Sequence, residues 1–381
     1  MIPYGRQDIR QADIDAVVDV LRSDFLTQGP AVPAFEATIA KAANATHAVA
    51  MNSATSALHV ACAALDLGPG DLLWTSPITF VASANCGRYL GADVDFVDID
   101  RPSGNLCPNR LEEKLIEADR IGRLPKVIVP VHLAGQSCDM ERIGALARSY
   151  GIRVVEDASH AIGGRHGDDP VGACTHSDIT VFSFHPVKIV TSGEGGAAVT
   201  QDEDLAGRMA RLRSHGITRD PLDMTHTPDG PWYYQQIELG WNYRMTDIQA
   251  ALGTAQMERL HAYVARRNEL AERYDRLLGE LPLVRPGRAD GVMSAFHLYI
   301  IRVTAERHRT VFEGLRSRGI GVNLHYIPVH LQPYYRAYGF GPGDFPEAEL
   351  YYSEAMSIPL YPTMTEEMQD EVILALKAEL A

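Results

Sequence analysis

The residues best suited to chemistry in this chain surround Lys188, in the segment 181–196 (VFSFHPVKIVTSGEGG). The segment begins as an apolar run typical of a buried strand and ends in a glycine-rich turn. Only five of the 35 basic residues are lysines. A desolvated lysine amine can lose its proton and form a Schiff base with a carbonyl, whereas an arginine guanidinium stays protonated. A solvated loop lysine explains this one residue equally well.

Two polar residues come at the ends of predicted strands. Ser183 ends the strand that precedes Lys188, and Asp157 follows the predicted strand 152–156. In open α/β sheets, ligands bind at the carboxyl edge where such residues meet. The serine hydroxyl can donate to a phosphate, and the carboxylate can keep a pyridine-type nitrogen protonated, as in pyridoxal phosphate (PLP) enzymes. A helix cap or loop acid is the alternative for Asp157, and Lys188 favours the functional interpretation.

Five motifs, in the same order along the chain, resemble the nucleotide-sugar aminotransferases of the DegT/StrS family. They are NSATSAL (52–58), SPITFVASAN (76–85), EDASHAIGG (156–164), SFHPVKIVTSGEGG (183–196) and GWNYRMTDIQAALG (240–253). Within that family, LTQGP (26–30), NSATSAL, LRSHG (212–216) and HYIPVHLQPYYR (325–336) are most similar to the aminotransferases of pseudaminic acid biosynthesis.

The resemblance implies an α/β fold, the fold type I of PLP-dependent transferases. Its expected parts are a mostly parallel seven-stranded sheet flanked by helices and a smaller C-terminal α+β domain. We therefore expect a large PLP-binding domain over residues 1–250, with an N-terminal arm at 1–30, and a small domain over 251–381.

The resemblance also implies which residues hold the cofactor, as PLP or as its amine form PMP. Lys188, Asp157 and His160 are the expected catalytic residues, with His160 near the phenolic oxygen of the ring or the substrate. The other expected cofactor contacts are Ala54, Thr55, Phe80, Ser183, Asn242 and Arg244. Helix capping explains the hydroxyl residues of NSATSAL equally well, and core packing would explain Phe80.

Further residues are expected to contact substrate. They are Thr27, Gln28, His185, His325, Tyr326 and His330. Tyrosine-rich loops often serve packing alone. The implied substrates are L-glutamate and a UDP-linked 4-keto-6-deoxy-N-acetylhexosamine of the L series, giving UDP-4-amino-4,6-dideoxy-N-acetyl-L-altrosamine for pseudaminic acid synthesis.

Other functions stay open beside this one. Another nucleotide-linked keto sugar, aminated at C3 or C4 and carried by UDP, GDP or dTDP, is the main alternative. Related sugar 3-dehydratases carry histidine in place of the lysine, so Lys188 counts against that reaction. A non-catalytic protein that binds PLP or a nucleotide sugar is the remaining class.

Asn242 and Arg244 are implied to reach the cofactor phosphate of the neighbouring subunit. The expected assembly is therefore a homodimer whose active sites are shared across the interface.

Composition restricts partners and compartment. The net charge of -14 argues against nucleic acid and anionic membranes, which bind basic surfaces. The five cysteines show no CxxC pair, so neither a zinc site nor a disulfide framework is indicated. Charges in the first residues and the lack of an apolar run of ~18 residues predict a cytoplasmic protein without a membrane span.

The elements that must position these residues follow from hydrophobic patterning. Strands alternating with helices predict a mostly parallel sheet covered on both faces. Later elements are a continuous helix over 248–278, strands at 297–304 and 321–325, and helices over 305–317 and 366–380. No GxGxxG follows the first strand and no P-loop motif occurs, which disfavours those phosphate sites.

Overall fold

The computed structural model describes residues 1–381. Its helices are α1 (Gln11–Arg22), α2 (Ala31–Ala43), α3 (Ala54–Ala64), α4 (Ala82–Tyr89), α5 (Pro108–Arg120), α6 (Met140–Ser149), α7 (Glu203–Leu212), α8 (Asp247–Met257), α9 (Leu260–Leu277), α10 (Ala305–Ser317), α11 (Pro333–Arg336), α12 (Pro346–Glu354) and α13 (Glu366–Leu380). Short 3-10 turns lie at Leu133–Gly135 and Val329–Leu331.

The strands are mostly short. They are β1 (His47–Met51), β2 (Leu72–Thr75), β3 (Asp93–Phe96), β4 (Val127–Val129), β5 (Arg153–Asp157), β6 (Arg165–His166), β7 (Asp169–Pro170), β8 (Ile179–Ser183), β9 (Gly196–Thr200), β10 (Ile217–Thr218), β11 (Gln235–Gln236), β12 (Val292–Met293), β13 (Tyr299–Arg302) and β14 (Ala355–Ile358).

A seven-stranded sheet in the order β1-β9-β8-β5-β4-β2-β3 forms the centre of the molecule. Neighbouring strands run parallel from β8 through to β3, and β9 runs antiparallel to both β8 and β1. All residues of β8 and β9 are buried, as expected for strands covered on both faces. The predicted fold class is therefore confirmed.

The C-terminal part is built on the antiparallel pair β13 and β14, covered by α10, α12 and α13. The predicted strand at 321–325 is wrong. Asn323 forms only an isolated bridge with Ser357, because the chain beyond it turns so that His325 bonds the Ser357 hydroxyl. The partner strand β14 and helix α12 lie between the predicted elements, at positions where no helix or strand is predicted.

The predicted continuous helix over 248–278 is also wrong, since α8 and α9 are separate. Arg259 has φ -104° and ψ 4°, and its guanidinium reaches Asp13 at 2.6 Å. This ion pair fixes the junction between α8 and α9 against α1. Helix α8 runs across position 250, and the domain boundary there stays a prediction.

The first residues of the chain are tied to the C-terminal part. The amide of Ile2 donates to Gly319, and the amide of Gly321 donates back to the carbonyl of Ile2. Farther along, the Leu360 amide donates to the carbonyl of Tyr4. These backbone bonds fix the position of Tyr4. None of the helices combines the length and apolarity needed to cross a bilayer.

Arg267 in α9 is a buried cation whose hydrogen bonds go only to backbone carbonyls. Its Nη1 donates to the carbonyls of Phe296, His297 and Leu360 at 3.0–3.1 Å. Burial lowers the pKa of Arg267 to about 10. The guanidinium thus joins α9 to the segments that precede β13 and follow β14.

We expect Arg267→Met to lower the free energy of unfolding by about 3 kcal/mol, because three buried carbonyls lose their donor. Urea denaturation measures this difference. Arg309→Met is the matched control, since Arg309 pairs only with Glu313 on an exposed helix face and should change stability by less than about 0.5 kcal/mol. Equal stability of the Arg267→Met variant and the wild type would show that the carbonyls need no donor.

Candidate active site

A cleft of about 460 Å³ lies at the carboxyl ends of β5 and β8. These strands are parallel neighbours with Asp157 opposite Val181, so Asp157 and Ser183 reach the same edge of the sheet. The cleft brings together ten of the predicted residues: Ala54, Thr55, Phe80, Asp157, His160, Ser183, His185, Lys188, His325 and Tyr326.

Lys188 lies on the cleft wall, in the turn between β8 and β9. Burial lowers the pKa of its amine to about 8, and the charge of Asp157 acts in the opposite direction. An amine with this pKa is neutral in about a tenth of molecules at pH 7, far more than an ordinary lysine, and the neutral form is the one that a nucleophile or general base requires.

Asp157 is fixed by two serine hydroxyls, one on each oxygen. Ser83 of α4 donates to Oδ2 at 2.6 Å, and Ser159 donates to Oδ1 at 2.5 Å. The Ser159 amide also donates to Oδ1 at 3.1 Å. The carboxylate is 5% exposed, so these bonds hold its direction toward the cleft.

The N-terminus of α3 offers a site for an anion. Ser53 caps the helix by accepting from the Ser56 amide, which leaves the first amides, those of Ala54 and Thr55, without an acceptor in the chain. Free amides and the helix dipole favour a phosphate at this position. The Ser183 hydroxyl lines the same cleft and is a further donor.

Gly196 allows β9 to lie close to the N-terminus of α3, where this anion site is. A Cβ at this position would lie 2.3 Å from the amide nitrogen of Ala54, so any side chain would push β9 away from α3. Real Cβ atoms do not approach so closely, and only glycine fits between the strand and the helix.

Three buried histidines form another wall of the cleft. His160 and His297 pack with ring centroids 4.5 Å apart. Burial lowers the pKa of both rings well below the usual value, and the charge of Lys188 adds to the effect. Burial and Lys188 also lower the pKa of His325, to about 3. The wall is therefore neutral at pH 7.

The structure places the other predicted residues outside this cleft. Thr27 forms an isolated β-bridge with Thr246, and the neighbouring Gln28 is exposed. Asn242 bridges Ser214 and is exposed, while Arg244 bridges Met51 and donates to the Ser214 hydroxyl.

His330 is also outside, completely buried between Phe96 and Phe345 with Nε2 at 3.0 Å from Glu349. His185 stands exposed at the mouth, 3.9 Å from Glu194.

Several residues that line the cleft, or that bond the side chains lining it, were not among the predicted contacts. Ser159 follows Asp157 at the spacing of an Asx turn, which is a signal that sequence reading can detect. Ser83 is 74 positions from Asp157, and His297 precedes a strand without a motif of its own. Tyr4 reaches the cleft through the backbone bonds of the first residues. No local pattern indicates these three.

The sequence matches one protein family over almost its whole length, and it has similar relatives in other organisms. Residues 7–377 match the family described as the DegT/DnrJ/EryC1/StrS aminotransferase family. The spore coat polysaccharide biosynthesis protein SpsC of Bacillus subtilis is 38% identical over 99% of this chain and 96% of its own length. The UDP-4-amino-4,6-dideoxy-N-acetyl-beta-L-altrosamine transaminase of Campylobacter jejuni is 37% identical, over 96% of this chain and 93% of its length.

Solved structures resemble the whole fold. Helicobacter pylori PseC, an aminotransferase involved in the biosynthesis of pseudoaminic acid, has a TM-score of 0.91 at 30% identity, covering 100% of this chain and 99% of its own. The sugar aminotransferase Spr1654 of Streptococcus pneumoniae in its PMP form gives the same TM-score, identity and coverage.

We expect acetic anhydride to acetylate Lys188 with a pH midpoint near 8, because burial lowers its pKa to that value. Peptide mass spectrometry measures the rate, and the exposed Lys41 and Lys377 serve as internal references. In Asp157→Asn the midpoint should move to lower pH, since the charge that opposes burial is removed. A midpoint near 10, the usual range of lysine, would contradict this description of the cleft.

Proposed function

The chain belongs to the DegT/DnrJ/EryC1/StrS aminotransferase family, and we propose that it uses PLP held on Lys188 to transfer an amino group to a nucleotide-linked keto sugar. The observation that carries the proposal is the enclosed amine of Lys188, with its lowered pKa, in one cleft with the fixed carboxylate of Asp157.

The residues of the cleft fit PLP group by group. Lys188 offers an amine for the carbonyl, and Asp157 offers a carboxylate for the ring nitrogen. The free amides of Ala54 and Thr55, with Ser183, offer donors for the phosphate. Phe80 is 58% exposed beside the cleft and offers an aromatic face for the ring.

The side chains divide the work of the reaction. Bound in the cleft, PLP supplies an electron sink for the pair left when the amino acid loses its α-proton. Lys188 takes up that proton as general base and gives it back as general acid. Asp157 keeps the positive charge on the ring nitrogen, and the two serines hold its carboxylate in position. The neutral histidines limit water around the Lys188 amine.

For the substrates, we propose L-glutamate as donor and the UDP-linked 4-keto-6-deoxy-N-acetylhexosamine of the L series as acceptor. Support comes from the 37% identity with the altrosamine transaminase and from the likeness to PseC. The protein SpsC is equally similar and is named for spore coat polysaccharide. Amination of another nucleotide-linked keto sugar is therefore the second candidate.

A homodimer with shared active sites is part of the proposal. The segment between β10 and α8 carries large apolar side chains on its surface: Leu222 is 93% exposed, Leu239 79% and Trp232 75%. Such side chains would be covered if this segment formed the subunit interface, since contiguous exposed apolar surface typically marks a protein interface. Asn242 and Arg244 follow directly, so a partner seated here would have them near its own cleft.

We expect the PLP-loaded wild type to lose its visible absorption band with L-glutamate and to regain it with the L-series keto sugar. Lys188→Ala should abolish turnover with an unchanged circular dichroism spectrum, because no other amine lines the cleft. Recovery with a different keto sugar would support the second candidate. A band that ignores glutamate and every other amino donor would contradict the aminotransferase proposal.

Mixing two inactive variants tests the shared site. We expect Lys188→Ala and Arg244→Ala, combined after mild dissociation, to regain about a quarter of the wild-type activity, since half the dimers carry one intact site. Light scattering reports the dimer independently. Absence of recovery among dimers known to have exchanged would show that Lys188 and Arg244 act within one chain.

A further inference from the structure

The strongest unassigned feature of the cleft is a chain of hydrogen bonds that ends on Tyr326. The backbone amide of Ala134 donates to Nδ1 of His160 at 3.2 Å. On the other side of the ring, Nε2 lies 3.1 Å from the hydroxyl oxygen of Tyr326. Three separate parts of the chain thus meet at one imidazole.

The direction of these bonds follows from the state of His160. Burial and the charge of Lys188 lower the pKa of His160 well below the usual value, so the ring is neutral and carries one proton. Nδ1 must accept from the Ala134 amide, because a backbone N–H cannot accept. The single proton is therefore on Nε2, which donates to Tyr326.

Tyr326 consequently keeps its own proton for another acceptor. Burial, with Asp157 and Tyr4 nearby, raises the pKa of Tyr326, so the hydroxyl is protonated at neutral pH. Its oxygen has no protein partner other than His160, and the side chain lines the cleft. One O–H is left to point into the space that a ligand would fill.

The chain of bonds is held rigidly. Ala134 adopts a left-handed conformation (φ 60°) in the turn at Leu133–Gly135. A Cβ at the next residue, Gly135, would lie 2.8 Å from the Phe296 amide, so the turn is packed against that segment. His297 packs on the His160 ring from the same segment. A donor fixed in this way costs little reorganisation when charge develops nearby.

We propose that the Tyr326 hydroxyl, oriented by His160 and the Ala134 amide, donates a hydrogen bond to the keto oxygen of the acceptor sugar. This inference rests on the proposed function, which supplies the keto sugar. Carbonyl oxygens gain negative charge when an amine attacks the carbon, and an aligned donor stabilises that charge. In the glutamate half-reaction a keto oxygen appears only in the last step, when water releases 2-oxoglutarate, so Tyr326 has no such acceptor in the earlier steps that remove the visible absorption band.

The first test separates the two half-reactions in Tyr326→Phe. Stopped-flow absorbance should show the recovery of the band with the keto sugar slowed about a hundredfold, with the loss of the band on glutamate addition close to wild type. Equal loss in both halves would overturn the inference, because the acceptor would then be an oxygen of the cofactor. Unchanged rates in both would overturn it as well. Tyr334→Phe is the control, since Tyr334 is exposed, its hydroxyl bonds Tyr338, and it does not line the cleft.

Two replacements of His160 test its part as the positioning residue. In His160→Gln the amide nitrogen can take the place of Nε2 and still donate to Tyr326, whereas the shorter side chain of His160→Asn cannot reach it. We expect His160→Gln to keep at least tenfold more of the sugar half-reaction than His160→Asn. When His160→Gln and His160→Asn are each combined with Tyr326→Phe, the difference between their rates should disappear. A difference that persists would show that His160 does not act through Tyr326.

The protein without cofactor provides a separate readout. Nitrogen-15 NMR of histidine-labelled protein should show His160 neutral at pH 7 with its proton on Nε2, identified by the signal missing from His160→Gln. A proton on Nδ1, or a charged ring, would overturn the hydrogen-bond chain. If the wild-type protein does not respond to glutamate, the proposed function is wrong. The NMR result still tests the hydrogen bonds between Ala134, His160 and Tyr326 independently. If wild type passes and Tyr326→Phe matches it, only the present inference fails.

Discussion

Burial of one ammonium group is the constraint on which the site depends. An isolated cation in a cleft loses solvation, and a carboxylate nearby normally restores the charged form. Here the charge of Asp157, whose two oxygens are fixed by Ser83 and Ser159, raises the pKa of Lys188 less than burial lowers it. The surrounding rings of His160, His297 and His325 stay neutral instead of charged. The pKa of the Lys188 amine is thereby kept at about 8, so that the amine can both lose and regain a proton near neutral pH.

The sheet explains how distant parts of the sequence reach this amine. Parallel pairing of β5 with β8 brings Asp157 and Ser183 to one edge, and β9 returns beside β8 so that Gly196 touches the start of α3. The connection between β8 and β9 carries Lys188 into the cleft at this edge. The C-terminal part completes the cleft by supplying His297, His325 and Tyr326.

Sequence reasoning succeeded where chemistry and local pattern coincide. Lys188, Asp157 and Ser183 each follow a recognisable apolar strand, and the alternation of strands with helices indicates the parallel sheet. It failed where long-range packing decides. The break at Arg259 depends on Asp13, and the missing strand at 321–325 depends on how few residues pair with β14. Tertiary contacts alone bring Ser83 to Asp157 and Tyr4 to the cleft. The proposed contribution of Asn242 and Arg244 concerns a second chain, which a single-chain pattern cannot position.

The close approach of Gly196 to Ala54 has a consequence for how such a protein can diversify. The end of the cleft beside α3 has no space for a new side chain, so its shape is closed to gradual change by substitution. The segment around Tyr326 and the first residues also line the cleft, and neither belongs to the seven-stranded sheet. Substitutions that adapt the cleft to a different sugar are therefore expected near Tyr326 and the first residues. The end beside α3 is expected to stay unchanged, because close packing leaves no space there. One scaffold can in this way serve many carbohydrates with unaltered amine chemistry.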